Sequence, residues 1–367
     1  MSEKPPLQPA DPNADFLLHE KSIRSAIDRV LQSGHYILGP EVDAFEREFA
    51  EYLGGGHVIG VANGTDALEL ALRAAGVRPG DLVATVANTV SATVAAIQQA
   101  GARPVFVEID AATMLMSPEQ LDRTLSLHGT RIRAVVPVHL YGNPADMHRI
   151  AAVCDSHHAA IVEDCAQAHG ATIDGQRAGT FSRLSTFSFY PTKNLGALGD
   201  GGGVFTRDPE LADEVRLLRQ YGWRTRYISE IAGRNSRLDE LQAAILRAKL
   251  PSLDESNEAR SRIAARYSAR LADSSLVLPQ VTAGAVAVWH QYAIRTEKRD
   301  DLRATLLDAG IACGILYPVP IHHQPAYLDR STRLPVTEKA CDEVLCLPCH
   351  PGLGLEDVDR VCEVILQ

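Results

Sequence analysis

From about residue 57 onward, short apolar runs alternate with stretches of helical periodicity. His57–Ala62, Leu82–Val86, Arg103–Ile109, Ala134–His139, Ala160–Val162 and Ser185–Phe189 read as strands, with helices over Asp66–Ala75 and Ser91–Ala100. Apolar strands separated by helices predict an α/β fold, a mostly parallel sheet covered on both faces. Ligands in such folds gather outside the carboxyl ends of the strands. The pattern changes after about residue 250. Helical stretches over Leu238–Leu250 and Ser256–Leu271 precede a strand near Ala287–Arg295, a helix near Lys298–Ala309, a strand near Ile311–Tyr317 and a closing helix, Glu356–Leu366. This predicts a smaller α+β domain. The division expected is a flexible segment 1–15, a large domain 16–250 and a small C-terminal domain 251–367.

Composition narrows the class. At 367 residues, 46% of them hydrophobic, the chain exceeds what one core usually supports, in keeping with two domains. A net charge of −10, from 36 basic and 46 acidic residues, argues against a nucleic-acid groove or an anionic membrane surface. No apolar run approaches the roughly 20 residues that span a bilayer. Met1–Asp15 is Pro-rich and polar, without the apolar stretch of a signal peptide. The seven scattered cysteines are expected to be reduced, in a cytoplasmic protein. Cys346, Cys349 and His350 spell C-x-x-C-H, the haem-attachment pattern. Pro348 and Pro351 make this an extended turn, and the expectation is a packing role for the thiols rather than haem or zinc.

Three strand-end features carry chemistry. Asn63-Gly64-Thr65-Asp66 lies between a strand and a helix. Gly64 permits close backbone approach, free N–H groups at the helix start favour an anion, and Thr65 adds a hydroxyl. A phosphate fits there, and so does a plain turn with an N-cap. The second feature is Glu163-Asp164 at the end of an apolar strand, followed by Gln167 and His169. Burying two carboxylates is costly unless a cation or hydrogen-bond donors compensate. A pyridinium nitrogen is such a cation; a helix-capping aspartate or a metal pair with His169 are the alternatives. The third is Lys193, which leaves a strand through a hydroxyl-rich turn with Ser188 and Thr192 and enters a Gly-rich loop, Gly199–Gly203. A partly desolvated lysine has a lowered pKa, and its neutral amine is a nucleophile for a Schiff base. A surface lysine at a turn is the bland alternative. The glycine spacing G-x-x-G-x-G does not match a dinucleotide fingerprint.

With these in order, the chain resembles the DegT/DnrJ/EryC1/StrS family, pyridoxal-5′-phosphate (PLP)-dependent aminotransferases of nucleotide-linked keto-sugars. The matching segments are 34–42, 63–68, 137–142, 163–170, 188–196, 235–242 and 324–327, within a likeness that runs from about residue 16 to the end. The resemblance implies a fold-type I architecture with a mostly parallel seven-stranded sheet between helices. It implies Lys193 as the Schiff-base lysine and proton shuttle, Asp164 against the pyridine nitrogen, and Gln167 at the ring's phenolic oxygen. Gly64, Thr65 and Ser188 would bind the phosphate, and Asn235 would reach the cofactor of a second subunit, so the active site needs a homodimer. Tyr190, His322 and His323 would lie near the sugar. Arg224, Arg226, Arg234 and Arg237 form a basic stretch that would meet a diphosphate or carboxylate, or simply make solvated salt bridges.

One position departs from the family. After Asn88-Thr89, where an aromatic usually stacks on the cofactor ring, stands Val90. Valine still packs on a ring face but forfeits about 1 kcal/mol of stacking. The reaction expected is ping-pong transamination from L-glutamate to a 3-keto or 4-keto nucleotide sugar. The rivals are a sugar dehydratase, disfavoured because that branch replaces the lysine by histidine, an aminotransferase of an inosose or aminobenzoate-type precursor, and a regulatory protein on the same fold.

Overall fold

The computed structural model describes residues 6–367. At its centre lies a seven-stranded sheet, whose strands in chain order are β1 (His57–Val61), β2 (Leu82–Val86), β3 (Arg103–Val107), β4 (Ile132–Val136), β5 (Ala160–Asp164), β6 (Leu184–Ser188) and β7 (Gly202–Thr206). In space they run β1-β7-β6-β5-β4-β2-β3. Strands β2 to β6 pair in parallel, and β7 is antiparallel to both neighbours, so β1 points the same way as the parallel set.

The alternation of side chains along each strand sorts them between two faces. On β2, Leu82, Ala84 and Val86 face a cluster built with Leu121, Leu125, Met147 and Ile150, whereas Val83 faces Leu68, Ala71, Ile97 and Val215. Helices α3 (Gly64–Ala74), α4 (Ser91–Gln99) and α7 (Pro209–Leu218) therefore cover one face. The other is covered by α5 (Pro118–His128) and α6 (Met147–His157). Beside them Phe45 and Phe49 of α2 (Pro40–Tyr52) pack on Phe187, Phe189 and Phe205. The predicted Gly199–Gly203 loop is shorter than expected: Gly202 and Gly203 open β7, which is buried along its whole length.

Glu240 ties distant segments together. Its carboxylate accepts the backbone N–H groups of Gly39 (2.8 Å), Glu41 (2.9 Å) and Val42 (2.9 Å), and so caps the start of α2 from the first residue of α8 (Glu240–Lys249). An anion at a helix start is favoured by the orphan N–H groups and the helix dipole.

The N-terminal expectation is corrected in part. Residues 1–5 lie outside the described residues, but residues 6–15 are tied down rather than a flexible lead-in. Leu7 exchanges backbone hydrogen bonds with Gly310 and Ala312, Asp11 caps α1 (Pro12–Ser33), and Asp15 pairs with Lys249. Beyond residue 250, α9 (Leu253–Arg270), α10 (Arg299–Asp308) and α11 (Leu355–Leu366) pack around an antiparallel pair, β8 (Tyr292–Arg295) with β9 (Val344–Leu347). The segment 311–317, predicted as a strand, makes among the described residues only isolated bridges, through Ile311 and Gly314. Ala285–Val286 crosses over to pair with Thr172–Ile173 of the large part. Cys346 and Cys349 are buried free thiols, and Cys349 Sγ donates to the Trp289 carbonyl at 3.5 Å. Among the described residues no helix is long and apolar enough to cross a membrane.

Candidate active site

The carboxyl ends of β1, β2, β4, β5 and β6 deliver the chemistry-bearing side chains to one edge of the sheet. Beyond β1, Asn63 caps α3, its Oδ1 accepting the Asp66 N–H at 2.8 Å. The N–H groups of Gly64 and Thr65, in the first turn, have no helical acceptor. Gly64 lies against Ser188 at the end of β6, where a β-carbon on Gly64 would stand 2.7 Å from the Ser188 Cβ. Only glycine allows that approach, which brings a hydroxyl beside a helix start.

The two carboxylates at the end of β5 have opposite environments. Glu163 is fully buried and accepts from the N–H groups of Gly179 (2.8 Å), Phe181 (2.9 Å) and Ser182 (2.9 Å), the Ser182 hydroxyl (2.8 Å) and His139 Nε2 (3.2 Å). His139 Nδ1 accepts from Ala145 N–H at 2.9 Å, so its proton sits on Nε2. Glu163 is a structural staple. Asp164, also buried, accepts from Thr93 Oγ1 at 3.1 Å and from its neighbour's backbone, Ala166 N–H, at 3.2 Å. Burial raises its pKa, against the opposing pull of those two bonds and of Lys193. His169 does not pair with either carboxylate: its ring lies 5.5 Å from Phe187 and 5.8 Å from Phe189, and burial pulls its pKa down to about 3.

Lys193 follows β6 in a turn closed by its N–H donating to Tyr190 O at 2.8 Å. Burial pulls its ammonium down to about 8, with Asp164 opposing the shift. At that value about a tenth of the amine is neutral at pH 7, against well under a thousandth at the ordinary lysine value. Gln167, buried near Asp164, accepts the Tyr141 N–H at 2.7 Å and donates to the Tyr317 hydroxyl at 3.1 Å. Val90 immediately precedes α4, 37% exposed at the end of the β2 loop. Thr93, Tyr141 and Tyr317 had no role assigned from the sequence, although Tyr141 falls within the matching segment 137–142; Thr93 sits one helical turn past Val90 and only the fold aims it at Asp164.

The remaining predicted positions fall in two groups. Tyr190 and Asn235 are exposed and Arg237 is half-buried; among the described residues none forms a side-chain hydrogen bond. His322, in contrast, is fully buried, with Nε2 engaged by Glu338 at 3.1 Å, while its neighbour His323 is accessible. Of the two histidines, His323 is the one with a surface to offer a ligand. Arg234 pairs with Asp66 (3.0 Å) and Glu69, Arg224 with Glu230 (3.1 Å), and Arg226 lies over the Tyr227 ring. Arg224 and Arg234 follow the salt-bridge alternative, and Arg226 stacks on an aromatic ring instead.

Fold and strand-end chemistry together place the chain among the PLP-dependent aminotransferases. More narrowly, it belongs to the DegT/DnrJ/EryC1/StrS aminotransferase family, whose model matches residues 18–366. It is 46% identical over 345 residues to the dTDP-3-amino-3,4,6-trideoxy-alpha-D-glucose transaminase of Streptomyces venezuelae, covering 93% of this chain and 90% of that one. It is 45% identical over 355 residues to the erythromycin biosynthesis sensory transduction protein EryC1 of Saccharopolyspora erythraea, covering 96% of each. The crystal structure of S. venezuelae DesV in complex with a ketimine intermediate matches with a TM-score of 0.96 at 44% identity, covering 99% of this chain and 98% of that one.

Proposed function

We propose that this chain moves the amino group of an amino acid, L-glutamate first among candidates, onto a keto carbon of a nucleotide-linked deoxysugar in a ping-pong reaction. The observation that carries the reading is the grouping of a lysine lowered to about 8, a buried Asp164 carboxylate and the Gly64–Ser188 cup at one sheet edge. The name of the S. venezuelae relative favours the sugar's C3 as the position aminated.

The residues fit PLP. Asp164 is a buried carboxylate hydrogen-bonded only by a hydroxyl and a backbone N–H among the described residues, so a protonated ring nitrogen supplies the cation that burial demands. Gly64, Thr65 and Ser188 offer N–H and hydroxyl donors to a phosphate. Bound there, the cofactor supplies an electron sink for breaking a C–H bond beside an amine. Lys193 Nζ would anchor the cofactor and, when free, would serve as the base that takes up and returns the proton of the reacting C–H bond. Thr93 holds Asp164 in place; Gln167 would meet the ring oxygen, and Val90 would cover a ring face. Tyr190, His323 and Arg237 border the sugar and its nucleotide. Residues 16–250 carry the cofactor, and residues 251–367 close over its substrate side.

Asn235 serves a second subunit in this reading. It is exposed, next to Ser236, whose Oγ accepts the Ala62 N–H at 3.1 Å beside the phosphate cup. Tyr36 and Ile37 are exposed nearby, Ile37 bridging to Asp239, and an apolar surface continuous with a site suits a homodimer interface. A cytoplasmic location suits seven free thiols.

The test is amine-donor-dependent turnover of the holoenzyme against 3-keto and 4-keto dTDP- and UDP-sugars and an inosose. Reaction with a 3-keto nucleotide sugar is expected. Turnover of the inosose alone selects the cyclic-ketone reading. The name of the S. erythraea relative favours a regulatory reading, which holds if no ketone reacts.

A further inference from the structure

Tyr141, Gln167, Leu316 and Tyr317 close a ring of hydrogen bonds at the rim of the site. The Tyr141 N–H donates to Gln167 Oε1 at 2.7 Å, Gln167 Nε2 donates to the Tyr317 hydroxyl at 3.1 Å, and the Tyr141 phenol donates to the Leu316 carbonyl, one residue before Tyr317. Tyr141 is held at φ 60, a left-handed conformation unusual for a bulky residue, in the turn after β4. Residues 140–142 and 167 belong to the large part of the fold, whereas 316–317 belong to the segment descending from the small part.

The donors in this ring have one consistent assignment. A backbone N–H can only donate, so the Gln167 atom facing Tyr141 is the oxygen and the other end is the amide nitrogen. Of the two hydrogens on Nε2, one goes to Tyr317, leaving one for a further acceptor. The Tyr317 oxygen accepts, and burial pushes its pKa up to about 12, so it stays a neutral phenol.

We infer that Tyr317 is a positioning residue: it locks the Gln167 amide so that its remaining N–H faces the ring oxygen of the cofactor, and it ties that alignment to the small part of the fold. The inference rests on the proposed contact of Gln167 with the ring oxygen. A donor held on that oxygen stabilises its deprotonated form and so lowers the pH at which the neighbouring nitrogen of the Lys193 linkage loses its proton.

The test is a pH titration of the visible band of bound PLP in the holoenzyme. Tyr317→Phe, which removes one oxygen, is expected to raise the midpoint by about one pH unit. Gln167→Ala should raise it at least as far, and Tyr317→Phe should add nothing in the Gln167→Ala background. Tyr141→Phe, which cuts only the Leu316 link, moves the midpoint the same way by less. An unmoved midpoint in Tyr317→Phe while Gln167→Ala shifts it overturns the inference, as do additive shifts in the double variant. An unmoved midpoint in Gln167→Ala overturns the ring-oxygen contact itself, and with it the inference.

Discussion

Gly64 and Ser188 touch across the site: a β-carbon on Gly64 would lie 2.7 Å from the Ser188 Cβ and 3.1 Å from its hydroxyl oxygen. The start of α3 and the end of β6 can share one anion only while that position has no side chain. Gly64→Ala should weaken PLP binding at least about tenfold, a cost of 1.4 kcal/mol or more. Equilibrium titration of apoprotein with the cofactor measures it, and unchanged affinity would remove Gly64 from the phosphate cup.

Asp164 makes stability depend on pH in a specific direction. Its folded-state pKa is raised, so the stability it contributes is fully present below its unfolded value, about 3.9, and is lost as pH rises through the folded value. Apoprotein carrying Asp164→Asn should therefore melt above wild type at neutral pH, with the gap closing toward acid. PLP should reverse the order, because a ring cation pairs with the carboxylate. Melting curves of both proteins, with and without cofactor, decide this; a variant less stable than wild type at neutral pH in the apo form contradicts it.

Glu240 should matter to the fold more than to the chemistry. Glu240→Ala leaves three backbone N–H groups at the start of α2 without their acceptor, at a cost of about 3 kcal/mol. Urea denaturation of the apoprotein reads this directly. A loss below half of that would mean water replaces the carboxylate.

Much of this was legible in the sequence, for physical reasons. Strands buried on both faces are short uninterrupted apolar runs, and β2 was bounded to the residue. Lys193 and Asp164 stood out because charged residues beside apolar strand ends need compensation. Other parts were hidden. Gly202 and Gly203 read as loop because glycine disfavours strands; here they sit where β7 passes close to Phe189 and Asn63. The segment 311–317 is apolar enough for a strand, yet it bridges Leu7 and Cys346 at single points instead of joining a ladder. The Gln167–Tyr317 contact spans 150 residues, and no local spacing announces it. The burial of His322 beside exposed His323 was equally invisible, since both share one turn.

Val90 tests the ring-stacking position. It borders the site 37% exposed, immediately before α4. Val90→Phe should tighten PLP binding about fivefold, the equivalent of about 1 kcal/mol of stacking. No change in affinity would place the ring elsewhere.

The central claim concerns Lys193, and the most direct measurement is the visible spectrum of the reconstituted protein before and after L-glutamate. Wild type should be yellow, lose its band on adding L-glutamate, and release one 2-oxo acid per site. Lys193→Ala should show neither the lysine-linked band nor the conversion. A Lys193→Ala protein that converts L-glutamate at the wild-type rate would contradict the account.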